Sequence, residues 1–117
     1  MAIDRVLAVV PVSDVIRSSV FYELVLGAPP RNRPMGTLVE WQLTESAWLQ
    51  VFLDPERAGS SLVNFSVDDL ATHVAGLEER GLQPSSIDEV TKGVTLSSIV
   101  DPDGNRLTFI GNFREEY

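Results

Sequence analysis

The sequence carries one short pattern twice, and this repeat constrains the fold more than any other feature. Val12-Ser13-Asp14-Val15 aligns with Val67-Asp68-Asp69-Leu70, 55 residues later. An apolar, β-branched stretch precedes each copy, and an amphipathic stretch that ends at a glycine, Gly27 or Gly81, follows each copy. We therefore expect two versions of one supersecondary unit.

Each copy predicts a strand, a helix and three further strands. The first predicts a strand at 5–12, a helix at 15–26 and strands at 37–43 and 47–53. Its loop at 28–36 holds three prolines and admits at most an edge strand. The second predicts a strand at 61–67, a helix at 70–80 and strands at 84–90, 93–100 and 106–111.

The expected fold class is α+β, because two such βαβββ modules can form a curved mixed sheet around a cavity, with the helices on the outside. We expect a single domain over residues 1–117, with module one at 1–55 and module two at 60–113. Turn-forming residues at 54–60 make the expected linker between the modules.

Composition limits the partners that such a domain can have. The chain has no cysteine, which excludes disulfides and thiolate metal sites. Its net charge of −8, from 9 basic and 17 acidic residues, argues against a nucleic-acid partner. The same charge would attract a cationic ligand, although it also simply keeps a small protein in solution. We expect no membrane partner and a cytoplasmic location, because neither a membrane-span-length apolar run nor a signal-peptide pattern is present.

Two further motifs connect the chain to a known superfamily. Asp101-Pro102-Asp103-Gly104-Asn105 precedes the last predicted strand, and Val12-Ser13-Asp14 precedes Phe21-Tyr22 and Leu26-Gly27. Together with the repeat, these residues resemble the vicinal-oxygen-chelate superfamily, which includes glyoxalase I, extradiol dioxygenases and the fosfomycin- and bleomycin-resistance proteins. The resemblance covers nearly the whole chain. It implies paired βαβββ modules and a homodimer.

The resemblance also implies four metal-ligand positions, which correspond here to Leu7, Gln50, Leu62 and Thr108. Leucine cannot coordinate a metal, and divalent metal sites need imidazole, thiolate or carboxylate groups. The single histidine, His73, is predicted to be a partly exposed residue beside the apolar stripe of the second helix. We therefore expect no metal and no cofactor. A metal-dependent glyoxalase or dioxygenase would require a different alignment of Gln50 and Thr108.

Strand alternation predicts which side chains share the face away from the helices. That face mixes aromatic, amide, hydroxyl and guanidinium groups, which suits a pocket for an organic molecule. Glu40 is the carboxylate that is expected there, as a candidate acid or base. Trp41 is not fixed by the alignment, but its alternation favours the helix side. The predicted ligand-binding residues are Leu7, Trp48, Gln50, Phe52, Leu62, Asn64, Ser66, Arg106 and Thr108.

Three functions fit this pattern. The first is a metal-free small-molecule-binding protein, resembling the bleomycin-resistance proteins, that sequesters an aromatic or cationic compound by stacking on Trp48 and Phe52. The second is a metal-independent, glyoxalase-like isomerase or lyase that acts on a small carbonyl compound through Glu40. The third is a regulatory or structural module with a vestigial pocket, in which Trp48 and Phe52 fill the interior or a dimer contact.

Overall fold

A computed structural model describes residues 2–117 and groups them into two compact units. The first unit extends to Ser61 and includes Asp101–Asn105, and the second comprises Leu62–Val100 and Arg106–Tyr117. The turn at 101–105 lies between two strands of the second module in sequence, but its contacts are made within the first unit.

The first unit is a βαβββ module. Its elements are β1 (Val6–Val12), α1 (Val15–Leu26), β2 (Asn32–Met35), β3 (Leu38–Thr44) and β4 (Ala47–Leu53). The sheet order is β1-β4-β3-β2, with β1 parallel to β4 and the other pairs antiparallel. The proline-rich segment forms the short edge strand β2, which is exposed throughout and shifts register against β3.

The second unit repeats this topology. Its elements are β5 (Leu62–Val67), α2 (Leu70–Glu79), β6 (Asp88–Thr91), β7 (Val94–Val100) and β8 (Arg106–Gly111). The sheet order is β5-β8-β7-β6, with β5 parallel to β8. The predicted α+β fold with two βαβββ modules is therefore confirmed.

One strand prediction was wrong in its bounds. The strand expected at 84–90 begins only at Asp88. Pro84 has no backbone N–H to donate. Ser85 bonds to the neighbouring strand outside the regular strand pairing. Its backbone N–H donates to the carbonyl of Ser98, and its carbonyl accepts from the hydroxyl of Ser97. Regular pairing with β7 starts after these contacts.

Local capping determines where both helices begin and end. The carboxylates of Asp14 and Asp69 accept from the backbone N–H three residues later, at Arg17 (3.0 Å) and Thr72 (3.1 Å). Gly27 ends α1 in the left-handed conformation, with its N–H donating to the carbonyl of Glu23. The second helix ends at Glu79, with Arg80 as its C-cap, one residue before the predicted end.

Each helix covers one face of its own sheet with apolar side chains. Burial of apolar surface is the main stabilising term, at about 1.5–3 kcal/mol for each large side chain. In the first unit the buried apolar residues are Val10, Val12, Tyr22, Val25, Val39, Trp41, Leu49 and Val51. In the second they are Leu70, Val74, Leu77, Val94, Ile99, Leu107 and Phe109. The opposite face of each sheet is not covered by the helix of its own unit.

No helix within residues 2–117 combines the length and the hydrophobicity needed to cross a membrane.

The turn at 101–105 is held in the first unit by side-chain hydrogen bonds. The amide of Asn105, which is fully buried, accepts from the backbone N–H of Gly59 and Ser61, both at 3.0 Å. It also donates to the carbonyl of Pro11 at 2.9 Å and to the Asp101 carboxylate at 2.8 Å. One asparagine therefore joins the end of β1, the 54–61 segment and the turn.

Candidate functional site

The face of the first sheet that points away from α1 carries the predicted residues of module one. Along β4, Leu49 and Val51 are buried, whereas Trp48 and Gln50 are partly exposed and Phe52 is 37% exposed. Leu7 pairs with Trp48 across the sheet and is 45% exposed. Directly paired residues share a face. Leu7, Trp48, Gln50 and Phe52 therefore lie on one open surface, which we call the first open face.

Glu40 also lies on the first open face, because it pairs with Gln50 across the sheet. Its Oε2 accepts from the side-chain amide of Gln50 at 2.9 Å, and its Oε1 accepts from that of Asn32 at 3.0 Å. Both carboxylate oxygens are therefore held by neutral N–H donors. The network fixes Gln50 and leaves Glu40 as a positioned, negatively charged acceptor.

The ring of Trp48 has a cationic neighbour that the sequence analysis missed. The guanidinium carbon of Arg31 lies 5.6 Å from the centre of the Trp48 ring, within the range of a cation–π interaction. The Nη1 atom of Arg31 donates to Oε1 of Gln42, which pairs with Trp48 across the sheet. Arg31 precedes a short edge strand in a proline-rich loop, so no periodic pattern in the sequence placed it on this face.

Trp41 faces the opposite side of the same sheet, as its alternation predicted. It is 3% exposed, and its ring centre lies 6.3 Å from that of Tyr22 in α1. Its indole N–H donates to the carbonyl of Ala28 at 2.9 Å. By contrast, within residues 2–117 the buried indole N–H of Trp48 has no hydrogen-bond acceptor. Trp41 therefore belongs to the core, and Trp48 is the tryptophan of the first open face.

The predicted residues of module two share one face of the second sheet. Leu62 pairs with Arg106, and Asn64 pairs with Thr108. Leu62 is 76% exposed, Asn64, Ser66 and Arg106 are exposed, and Thr108 is partly exposed. Arg106 Nη1 donates weakly to the hydroxyl of Ser98 at 3.4 Å. We call this surface the second open face.

His73 lies on the helix side of the second sheet. Its ring centre is 4.5 Å from that of Phe109, and its buried Nε2 has no partner in the described part of the chain. Burial lowers the pKa of His73 below its ordinary value, and the charge of Arg80 lowers this pKa further, while the charge of Asp68 opposes both effects. His73 is partly exposed, as predicted, and its ring packs on the helix side of the sheet and not on the second open face.

The four positions that the sequence alignment assigns to the superfamily's metal ligands do not fit a divalent metal. Leu7 and Leu62 present hydrocarbon, while Gln50 and Thr108 present an amide and a hydroxyl. Among residues 2–117, no three histidine, aspartate or glutamate side chains come close enough to hold a metal ion. Such sites need imidazole or carboxylate groups that converge on one point.

A separate cleft of about 380 Å³ lies in the second unit at the beginning of α2. It is lined by residues that include Asp68, Leu70, Ile87, Thr95 and Asn112, and none of the predicted site residues is among its lining. This cleft is therefore distinct from the two open faces.

The chain was compared with protein-family models, curated proteins and solved structures, and only the solved structures gave matches. No protein-family model and no curated protein matches the chain. Among solved structures, a glyoxalase/bleomycin resistance protein from Catenulispora acidiphila is 32% identical, with a TM-score of 0.86, and the match covers 92% of this chain and 96% of that one. A bleomycin-binding protein in complex with bleomycin is 25% identical, with a TM-score of 0.78 and coverage of 94% and 99%.

A lactoylglutathione lyase from Agrobacterium tumefaciens shares the fold at 18% identity, with a TM-score of 0.74 over 91% of each chain. The repeat, the two sheets of identical topology and the full-length likeness to the Catenulispora protein point to one family. This chain belongs to the glyoxalase/bleomycin-resistance proteins of the vicinal-oxygen-chelate superfamily.

Proposed function

We propose that this chain is a metal-free binding protein that sequesters a flat organic molecule of aromatic or cationic character. The observation that carries the proposal is the composition of the first open face. It combines the partly exposed Trp48 and the exposed Phe52 with the fixed polar groups of Gln50 and Glu40. At its metal-ligand position it presents the hydrocarbon side chain of Leu7.

Binding alone accounts for such a surface. Aromatic side chains provide a large contact area for a planar ligand, and a few fixed polar groups orient it. On the second open face, Asn64, Ser66 and Thr108 supply further amide and hydroxyl groups, and Arg106 supplies a donor. The likeness to a bleomycin-binding protein supports a ligand of this class. The net charge of −8 supports attraction of a cationic compound over long range.

A homodimer is part of the proposal, with a second copy packed against the open faces. Large apolar side chains are exposed there, with Leu62 at 76% and Val9 at 49%. Exposed apolar surface of this kind marks interaction sites in many proteins. Sedimentation equilibrium is expected to give twice the chain mass, and Leu62→Asp is expected to shift it toward the monomer. A wild-type chain that sediments as a monomer at high micromolar concentration would contradict the dimer.

One observation favours a metal-independent isomerase or lyase as a second candidate. Glu40 is a positioned carboxylate on the first open face, and its hydrogen-bond partners are the neutral amides of Asn32 and Gln50. A carboxylate in this position could move a proton of a small carbonyl compound. Under this second function, Glu40→Gln would abolish turnover and leave binding intact. Under sequestration, no turnover exists to be lost.

The test is isothermal titration calorimetry of the purified chain with metal-free bleomycin and a panel of flat natural products. We expect at least one of them to bind, and Trp48→Ala to weaken that binding about tenfold or more, since ring stacking and its buried area are lost. Tyr117→Ala, which removes another exposed aromatic residue, is the matched control and should bind like the wild type. The same compounds and small carbonyl compounds are then assayed for conversion. Absence of binding across the panel, or binding that is indifferent to Trp48, would reject the proposal.

A further inference from the structure

We propose that Arg31 determines which ligands the first open face accepts. Its guanidinium covers the face of the Trp48 ring, and a ligand that stacks there must displace it with a planar cation of its own. This inference rests on the proposed binding function and adds to it the residue that sets specificity and the chemical group that the site recognises. That group is an amidinium, a guanidinium or a protonated heteroaromatic ring. The chain carries a copy of it in Arg31.

The geometry around Arg31 is that of an occupied cation site. Its backbone N–H donates to the carbonyl of Glu40 at 2.9 Å, which anchors the residue beside β3. Its guanidinium lies over the Trp48 ring and donates to Oε1 of Gln42. The other end of the Gln42 amide donates to the carbonyl of Glu45 at 3.3 Å, so that the oxygen is presented toward Arg31. Ring and acceptor therefore form a two-point receptor for a planar cation.

The contacts of Arg31 are of a kind that a ligand can replace. Its side chain is exposed, and within residues 2–117 it forms no ion pair. An exposed cation–π contact and one hydrogen bond to an amide are weak and reversible. A ligand with its own planar cation would regain both contacts. It would also approach the carboxylate of Glu40, which lies two residues from Gln42 on the same face of β3.

This arrangement discriminates by charge. The face of an aromatic ring is electrically negative, so a cation gains from it and an anion does not. A neutral or anionic flat compound would have to displace Arg31 without replacing its contacts, and it would therefore bind more weakly. If Arg31 instead recruited an anionic ligand by its positive charge, the opposite preference would be expected.

Arg33, in the adjoining edge strand β2, provides a matched control. It lies two residues after Arg31, and its Nη1 donates to the hydroxyl of Ser19 in α1 at 3.3 Å, on the helix side. Arg33→Ala therefore removes the same charge as Arg31→Ala but leaves the Trp48 ring occupied. Any effect that comes only from the net charge would appear in both variants.

The experiment is an NMR titration of the full chain with benzamidinium and, separately, with benzoate, followed on the indole N–H signal of Trp48. A Trp48→Phe spectrum identifies that signal. We expect Arg31→Ala to bind benzamidinium about three- to six-fold more tightly than the wild type, the gain that follows when a weakly held competitor is removed. Benzoate should bind no better to this variant than to the wild type. Arg33→Ala should leave both affinities unchanged.

Two results would overturn the inference. The first is equal benzamidinium affinity in wild type and Arg31→Ala, or no binding to either. The second is benzoate binding to the wild type that is lost in Arg31→Ala, which would make Arg31 an anion receptor. The proposed function fails in a different way. In that case benzamidinium would still distinguish Arg31→Ala from the wild type, but none of the natural products would bind in calorimetry.

Discussion

The hydroxyl of Tyr22 donates a 2.8 Å hydrogen bond to the carboxylate of Asp101, 79 residues later in the chain. Both side chains are buried, and the bond joins the middle of α1 to the turn after β7. The Asp101 carboxylate also accepts from the backbone N–H groups of Asp103 and Asn105, both at 2.9 Å. Burial raises the pKa of Tyr22 well above its ordinary value, and the charges of Asp101 and Asp103 raise it further, so the phenol remains a donor.

Tyr22→Phe should lower the free energy of unfolding by about 1.5–3 kcal/mol, the range for a hydrogen bond to a buried charged group. The aromatic ring is retained, so the change reports the hydroxyl and not the packing. Urea denaturation at pH 7 measures the difference. Tyr117→Phe removes an exposed hydroxyl and serves as the control, for which we expect no change. Equal stability of wild type and Tyr22→Phe would mean that Asp101 is satisfied without Tyr22.

Asn105→Ala should destabilise the fold by about 3–5 kcal/mol, because it leaves one buried and three partly buried groups without a hydrogen bond. These partners are the N–H groups of Gly59 and Ser61, the carbonyl of Pro11 and the Asp101 carboxylate. Thermal unfolding followed by circular dichroism checks the size of the loss. Asn64→Ala makes the same substitution at an exposed position, and its midpoint should match the wild type. A small effect at Asn105 would show that water replaces the amide.

Gly111→Ala should destabilise the second module by about 1–3 kcal/mol through overpacking. A Cβ at this position would lie 2.6 Å from Oγ1 of Thr95 and 2.8 Å from Cβ of Leu70, and the second of these belongs to the buried start of α2. Gly36→Ala is the matched control, because a Cβ there meets nothing within 4 Å. In chemical denaturation, Gly111→Ala should unfold at a lower denaturant midpoint than Gly36→Ala. Equal midpoints would mean that α2 moves away at little cost.

His73 should make the protein less stable as the pH falls. Burial and the charge of Arg80 lower its pKa in the folded state, so below about pH 6.5 the unfolded chain binds a proton that the folded chain does not. Stability from this group is complete above that pH and is lost as the pH falls toward the folded-state pKa. His73→Phe keeps the ring against Phe109 and removes the titration. Its urea midpoint should therefore fall less between pH 7 and pH 5 than that of the wild type. Parallel slopes for the two proteins would refute the assignment.

The order of the elements and their caps were predictable because they depend on neighbours in sequence. Asp14 and Asp69 cap the helices through N–H groups three residues away, and Gly27 ends α1 through its own backbone conformation. The faces of the strands were predictable for the same reason, since side chains alternate with a period of two. This alternation placed Trp48 and Phe52 on the open side of the first sheet and Trp41 on the helix side.

Three features were not predictable from the sequence: the residue at which β6 begins, the cation–π contact of Arg31 with Trp48, and the hydrogen bond of Tyr22 to Asp101. The start of β6 depends on the hydrogen bonds of Ser85 with Ser97 and Ser98 in β7, which is the neighbouring strand. Arg31 reaches the Trp48 ring from a loop without periodicity. In the sequence, Asp101 and Asp103 belong to the motif before the last strand, and aspartate is common in turns, so neither residue pointed to a distant partner. In the fold, Asp101 bonds to Tyr22, and the Asp103 carboxylate bonds to the backbone N–H and the hydroxyl of Ser13.

Three features could be worked out from the residues alone: the duplicated βαβββ order, the side of each strand that carries the core, and the leucines at the aligned metal-ligand positions 7 and 62. These are properties of residue type and short-range spacing. Three other features depend on the packed fold: Arg31 covers the Trp48 ring, the amides of Asn32 and Gln50 hold Glu40, and the 101–105 turn is bound by the first unit. Contacts between loops and distant strands depend on how all the elements pack, and no local pattern encodes them.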